Sequence, residues 1–335
     1  MQRLYSLDYL RGFAALSILA YHFHLWETPS YIPQADSFLD RMGLYGVALF
    51  YILSGYTLAR VYDSVNWQKQ ISWIQFFKKR LFRILPLLIL VSLASALVSR
   101  KTYDLMQWFL NLTGLFGYFD RDAYIATGAW SIGNELVFYG LFPFLMFLAK
   151  GKGQSIVIGI WLLLWLLIPY FYLRETVSLP KQWNLYIHPL YQALFFMGGI
   201  VLSIVPRPSA QLQSASVFVG LVVFIFFPVW GGHIDLVVDT PKVILSSACL
   251  LVVFGATSLP PVSWKPIHWV FKTLGDWSYG IYLWHPLVYI GVNWFVKSHF
   301  QVPVEGKLGI FLSLVLLVSG ASYHGFEKHW VRWGK

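Results

Sequence analysis

Residues 154–173 read QSIVIGIWLLLWLLIPYFYL, twenty positions without a charged side chain. A helix of about 20 mostly apolar residues is long enough to cross the hydrocarbon of a bilayer. A helix lying on a soluble core is apolar on one stripe only, and this run is apolar all round. Working outward from it, nine further stretches have the same character: 7–26, 43–62, 82–99, 130–149, 186–205, 215–231, 243–259, 278–297 and 307–325. The segment 104–119 is shorter and more polar, and is expected to lie at the interface or to re-enter. The expected fold class is an all-α integral membrane protein with about ten transmembrane helices.

Composition agrees. Hydrophobic residues make up 57% of the 335 and charged residues 12%, about half the charged share of an ordinary soluble domain. Cys249 is the single cysteine, which excludes a disulfide framework and any multi-cysteine metal or redox site. The net charge of +10 sits in short segments between apolar runs, so membrane topology explains it better than nucleic acid does. No internal repeat or low-complexity segment stands out, and residues 1–335 read as one polytopic membrane domain. The first stretch is too long for a cleavable signal peptide and holds Asp8, Arg11 and His22.

With the N-terminus placed in the cytoplasm, fourteen lysines and arginines fall on the cytoplasmic side and nine on the other. That is the direction of the positive-inside rule. Ten spans then return the C-terminus to the cytoplasm as well.

Ionisable residues inside spans are costly and mark functional sites. Asp8, Arg11 and His22 lie within about 40° of one another around the first helix, with Arg11 and His22 about 16 Å apart along it. Asp8 and Arg11 are at i, i+3 and are expected to pair. The group reads either as a polar channel at two depths or as an interfacial cap with a structural histidine. Glu135 is an acidic residue well inside the fourth span. Unpaired, it would be protonated; otherwise it needs a cationic partner, for which Arg11, Arg80, Arg83 or His22 could serve, in a catalytic role or as a helix-registering ion pair. Arg80 and Arg83 share a face at the entrance of the third span, where two guanidinium forks suit a phosphate group and also suit simple anchoring. Ser278, Tyr282 and His285 fall on one face of the ninth span, just before Pro286. Glu327, at the end of the last span, reads as a surface carboxylate or as part of a site. No His pair at i, i+4 with a third carboxylate ligand suggests a metal centre.

Several of these segments resemble the type 3 acyltransferases, membrane enzymes that O-acylate bacterial surface glycans. LDYLRGFAAL at 7–16 with His22, GVALFYILSGY at 46–56, Arg80 and Arg83 with Pro86, Trp130 and Ser131 with Glu135, Phe138, Tyr139 and Pro143, Leu274 through His285, and Glu327 follow the family's motifs in order. Ala48 and Leu87 depart from it, where many members carry an acidic residue and a tyrosine. The chain ends about ten residues after the last apolar run, and so is similar to the stand-alone type.

The resemblance implies an O-acyltransferase, most simply an O-acetyltransferase, with acetyl-CoA or another acyl-CoA as donor substrate and no permanently bound cofactor. It implies a carbohydrate acceptor, such as a lipopolysaccharide, exopolysaccharide or other surface polysaccharide unit, and a bacterial inner membrane. His22 is the expected catalytic group, as general base or as an acyl carrier, with Glu135 beside it. Arg11, Arg80 and Arg83 are expected on the acyl-CoA. Asp8, Ser54, Trp130, Ser131, Tyr139, Ser278, Tyr282, His285 and Glu327 are expected in support. The competing expectation is a transporter of acyl groups or of a lipid-linked glycan.

Overall fold

The computed structural model describes residues 3–299 and 302–334. All regular structure among the described residues is helical. The long helices are α1 (Tyr5–Glu27), α2 (Phe38–Val61), α3 (Gln70–Ser99), α6 (Trp130–Leu148), α7 (Gly153–Phe171), α9 (Pro189–Ile204), α10 (Ala210–Phe226), α11 (Asp239–Ala256), α12 (Lys265–His299) and α13 (Val304–Ser322). Each of the ten apolar stretches falls on a different one of these. The short helices α4 (Leu105–Thr113), α5 (Phe116–Phe119), α8 (Trp183–Tyr186) and α14 (Lys328–Trp333) lie between or after them. The stretch expected to re-enter is the pair α4 and α5, parted at Gly114, which takes a left-handed φ of 74°.

By length and apolarity, six segments suffice to cross a membrane: α2, α3, α6, α7, α11 and residues 304–333. A seventh forms if Leu179–Tyr186 and α9 count as one span bent by 61°. The others fall short for visible reasons. α10 has 17 residues, α1 holds Asp8, Arg11 and Glu27, and α12 begins with a charged turn region containing Lys265, Lys272 and Asp276.

Local signals end the helices where the structure ends them. Ser37 caps α2 by accepting from the Asp40 amide. Asp104 and Gln107 form a reciprocal capping box on α4. Pro189 opens α9, a position where its missing N–H costs nothing.

α2 lies along α9, α1 along α12 and α2, α10 against α11, and α12 against α13. Association in lipid depends on close packing rather than on expelling water. The two crossings that frame the centre use glycine for it. A Cβ on Gly55 would stand 2.1 Å from the Phe196 carbonyl, and one on Gly199 would stand 2.1 Å from the Ile52 carbonyl. A Cβ on Gly275 would stand 2.3 Å from the Asp8 carbonyl. Toward the periphery the pattern inverts. Phe171, Leu97, Phe226 and Phe218 are exposed on the outside of the bundle, an apolar surface too continuous for water and suited to lipid.

Arg41 is fully buried and donates to the carbonyls of Ala35, Phe224, Ile225 and Phe227. The last three belong to the end of α10, whose terminal carbonyls have no helical partner. One guanidinium therefore closes the end of the 17-residue α10.

Gly199→Ala is expected to lose about 1–3 kcal/mol of stability by forcing α2 and α9 apart. Gly159→Ala, whose Cβ meets nothing within 4 Å, is expected to stay within about 0.5 kcal/mol of wild type. Chaotrope midpoints in detergent measure both, and equal midpoints would contradict the close crossing.

Candidate active site

Four helices of the centre, α2, α3, α6 and α12, together with Arg11 of α1, enclose a cavity of about 150 Å³. Nine of the residues expected from sequence line it: Arg11, Ser54, Arg80, Arg83, Ser131, Glu135, Tyr139, Ser278 and Tyr282. They come from five stretches of chain and meet only in the folded bundle.

Asp8 and Arg11 pair as expected at 3.0 Å. Asp8 also accepts from Arg3 at 2.6 Å, and Arg3 reaches on to Asp276 at 2.5 Å. The second Arg11 nitrogen donates to Thr57 Oγ1 at 2.9 Å. Arg11 is thus aimed into the cavity by a carboxylate behind it and a hydroxyl beside it. Arg80 and Arg83 make no ion pair among the described residues, and the buried Arg80 Nε has no hydrogen-bond partner. Two guanidinium groups are therefore open toward one space.

Glu135 differs from expectation. It accepts from Ser54 Oγ at 3.1 Å and from the Tyr139 hydroxyl, and it forms no ion pair with Arg11, Arg80, Arg83 or His22 among the described residues. The reason is geometric. Tyr139 is one turn along the same helix, and Ser54 stands opposite on α2, so hydroxyls fill the coordination that a cation would take. Three arginines share the cavity with Glu135 without touching it.

His22 is not in the cavity wall. Its Nδ1 lies 2.8 Å from His285 Nε2, and the two rings meet edge to edge in nearly parallel planes, their centroids 5.1 Å apart. Trp26, one turn on, lies nearly parallel to both rings, 5.2 Å from His22 and 5.8 Å from His285. His285 Nδ1 faces the carbonyls of Tyr282 and Ile281 at 2.8 and 3.2 Å. Tyr282 joins the two regions. Its hydroxyl lies in the cavity, 2.8 Å from Ser131 Oγ and 2.9 Å from the Gly128 carbonyl, and its backbone holds His285. Gly128 has φ +83°, a conformation that favours glycine, which turns that carbonyl inward.

Two other expected residues, Trp130 and Glu327, stand behind the wall. Trp130 packs against Trp183 and Tyr186. Ser278, at the wall itself, turns its hydroxyl onto the Gly275 carbonyl. Glu327 is buried, not on the surface: it sits in a π-helical turn, Tyr323–Glu327, and accepts from Ser322. A π-turn widens the helix by one residue, which swings Glu327 toward Gly280 on α12.

Sequence reasoning missed Tyr51, Thr57, Tyr279 and Trp26. Tyr51, Ser54 and Thr57 repeat every third residue on one face of α2, so the spacing carried a signal. Trp26 is at i+4 from His22, which places it on the same face.

The fold and cavity together define a polytopic helical membrane protein with a charged interior site. Residues 4–323 match the family described as an acyltransferase domain, and the chain belongs to that family. Membership decides between the enzyme and the transporter in favour of the enzyme class. The chain is 25% identical over 325 residues to peptidoglycan O-acetyltransferase OatA of Listeria monocytogenes, covering 84% of this chain and 48% of that protein. It is 28% identical over 291 residues to putative acetyltransferase ORF330 of Acidianus two-tailed virus, covering 83% and 81%. It is 23% identical over 373 residues to putative peptidoglycan O-acetyltransferase YrhL of Bacillus subtilis, covering 96% and 54%. The chain thus spans about half the length of the OatA and YrhL relatives. No solved structure matches it.

The Ser131–Tyr282 contact ties α6 to α12 across the cavity. In a double-mutant cycle of Ser131→Ala and Tyr282→Phe, a coupling energy of about 1 kcal/mol is expected in detergent unfolding. Additive losses would show that the two hydroxyls do not meet.

Proposed function

We propose that this chain is a membrane O-acyltransferase, most simply an O-acetyltransferase, that moves an acyl group from acyl-CoA to a hydroxyl of a cell-surface or exported carbohydrate. The observation that carries the reading is the set of three arginines around one cavity, two of them without an ion-pair partner among the described residues. Acyl-CoA is a polyanion attached to a thin arm, and unpaired guanidinium forks at a cavity wall suit its phosphates. The names of the relatives support acetyl as the group and a cell-wall glycan as the acceptor class.

The same reading favours ten spans with both termini in the cytoplasm of a bacterial inner membrane. Arg80 and Arg83 follow Lys78 and Lys79, so the arginine mouth belongs on the positive, cytoplasmic side. Acyl-CoA is made there.

His22 is the catalytic group in this proposal. The residue is partly accessible, and its ring is held beside Trp26 and His285. A neutral imidazole is well matched to take a hydroxyl proton near pH 7. The acceptor oxygen attacks the thioester carbonyl as its proton passes to His22. The C–S bond then breaks, and the proton passes on to the departing CoA thiolate. Arg11, held by Asp8 and Thr57, guides the acyl end of the arm along α1 toward that ring. Glu135, Ser54 and Tyr139 form a hydrogen-bonded polar patch beside the arginines that shapes the path.

Transfer of labelled acetyl from acetyl-CoA to a glycan, by protein in nanodiscs, tests this. His22→Ala is expected to lower kcat by about 10²-fold or more while the protein still inserts and purifies. Transfer at the wild-type rate would sink the assignment. Arg80→Ala or Arg83→Ala is expected to raise KM for acetyl-CoA by about tenfold or more, the worth of one charge-assisted hydrogen bond, with kcat little changed. An unchanged KM in both would remove the phosphate role.

A further inference from the structure

Pro286 directly follows His285 inside α12. In an α-helix each carbonyl accepts from the amide four residues later. Proline has no amide hydrogen, so the Tyr282 carbonyl is denied the partner that residue 286 would supply. His285 Nδ1 stands 2.8 Å from that oxygen. The Ile281 oxygen, the other contact at 3.2 Å, is the one that the His285 amide itself addresses in helical geometry.

A carbonyl oxygen only accepts, so His285 Nδ1 carries hydrogen and donates. In a neutral imidazole the second nitrogen is then bare. His285 Nε2 is therefore an acceptor, and the group 2.8 Å away, His22 Nδ1, must be its donor. That leaves His22 Nε2 with its lone pair and no protein hydrogen bond among the described residues. The order runs in one direction from the missing amide to the exposed lone pair.

We propose that Pro286 and His285 are positioning residues that set the tautomer of His22, so that its Nε2 and not its Nδ1 is the basic atom. The proposal rests on the assignment of His22 as the catalytic base. It also accounts for the state after proton uptake. His22 then donates from Nδ1 to the same His285 nitrogen with no rearrangement, and the nearly parallel Trp26 ring faces a cation. The role is that of the residue behind a catalytic histidine, filled here by a neutral ring anchored to backbone instead of by a carboxylate. Tyr282 couples this to the cavity, because its carbonyl holds His285 and its hydroxyl holds Ser131.

The test combines ¹⁵N NMR of histidine-labelled protein in nanodiscs with kinetics. The His22 signals are identified by their loss in His22→Gln. In wild type, neutral His22 is expected with hydrogen on Nδ1 and Nε2 bare. Hydrogen on Nε2 overturns the proposal. Pro286→Ala restores an amide that competes for the Tyr282 carbonyl, and is expected to give a mixed His22 tautomer and about tenfold lower kcat, with KM for acetyl-CoA unchanged. A wild-type tautomer and kcat in this variant remove Pro286 from the scheme. Because Pro286→Ala also alters the helix, a second pair avoids the backbone. His285→Gln keeps an oxygen able to accept from His22, and His285→Leu does not. The glutamine variant is expected to retain at least tenfold more kcat than the leucine variant, and equal activities overturn the relay. If His22→Ala itself transfers acetyl like wild type, the base assignment fails, whatever the tautomer shows.

Discussion

Charge brought into a bilayer has no water to turn to, so each ionisable group in this protein must be solvated by the protein itself. The arrangement of α1 follows from that constraint. Asp8 is ringed by Arg3 and Arg11, and Arg11 by Asp8 and Thr57. These contacts need α1, α2 and α12 in close register, which the glycines at 12, 43, 46 and 275 permit. The backbone contacts and the polar contacts therefore depend on each other. The helices approach because the residues at the crossings are small, and that approach puts hydroxyls and carboxylates within reach of the buried cations.

The same constraint explains charges that a loop count treats as free. Arg41, Lys242 and Lys307 lie outside or at the very edge of the apolar stretches. In the fold, Arg41 closes the end of α10. Lys242 is buried with its ammonium over the rings of Tyr191 and Phe195, and Lys307 is paired with Glu27 and Asn293. Each is internal solvation, so a count of charges between apolar runs overstates how many face solvent.

Function then divides between two regions. In the proposed function the arginine-lined cavity takes the anion and the histidine pair takes the proton. They are separated by Tyr282, which belongs to both. A donor whose charged end and reactive end are far apart fits that layout, because one end can be held while the other is delivered. Within the bundle the π-turn at Tyr323–Glu327 and the proline at 286 both break helical regularity beside this region. Such breaks free backbone carbonyls or redirect side chains, and here the freed carbonyl is used.

Sequence by itself determined the helical membrane class, the ten apolar stretches and nine of the residues that line the cavity. Those are properties of single segments: an unbroken apolar run has one favourable environment, and a charge inside it has few tolerable reasons to be there. The pairing of Asp8 with Arg11 was legible for the same reason, since i, i+3 neighbours on one helix always meet. What only the tertiary structure decided were the partners from other helices. Glu135 faced three plausible arginines and took Ser54 and Tyr139. His22 faced a plausible carboxylate and took His285, 263 positions away. Helical periodicity says which face a side chain occupies, and it carries no information about which other helix that face will meet.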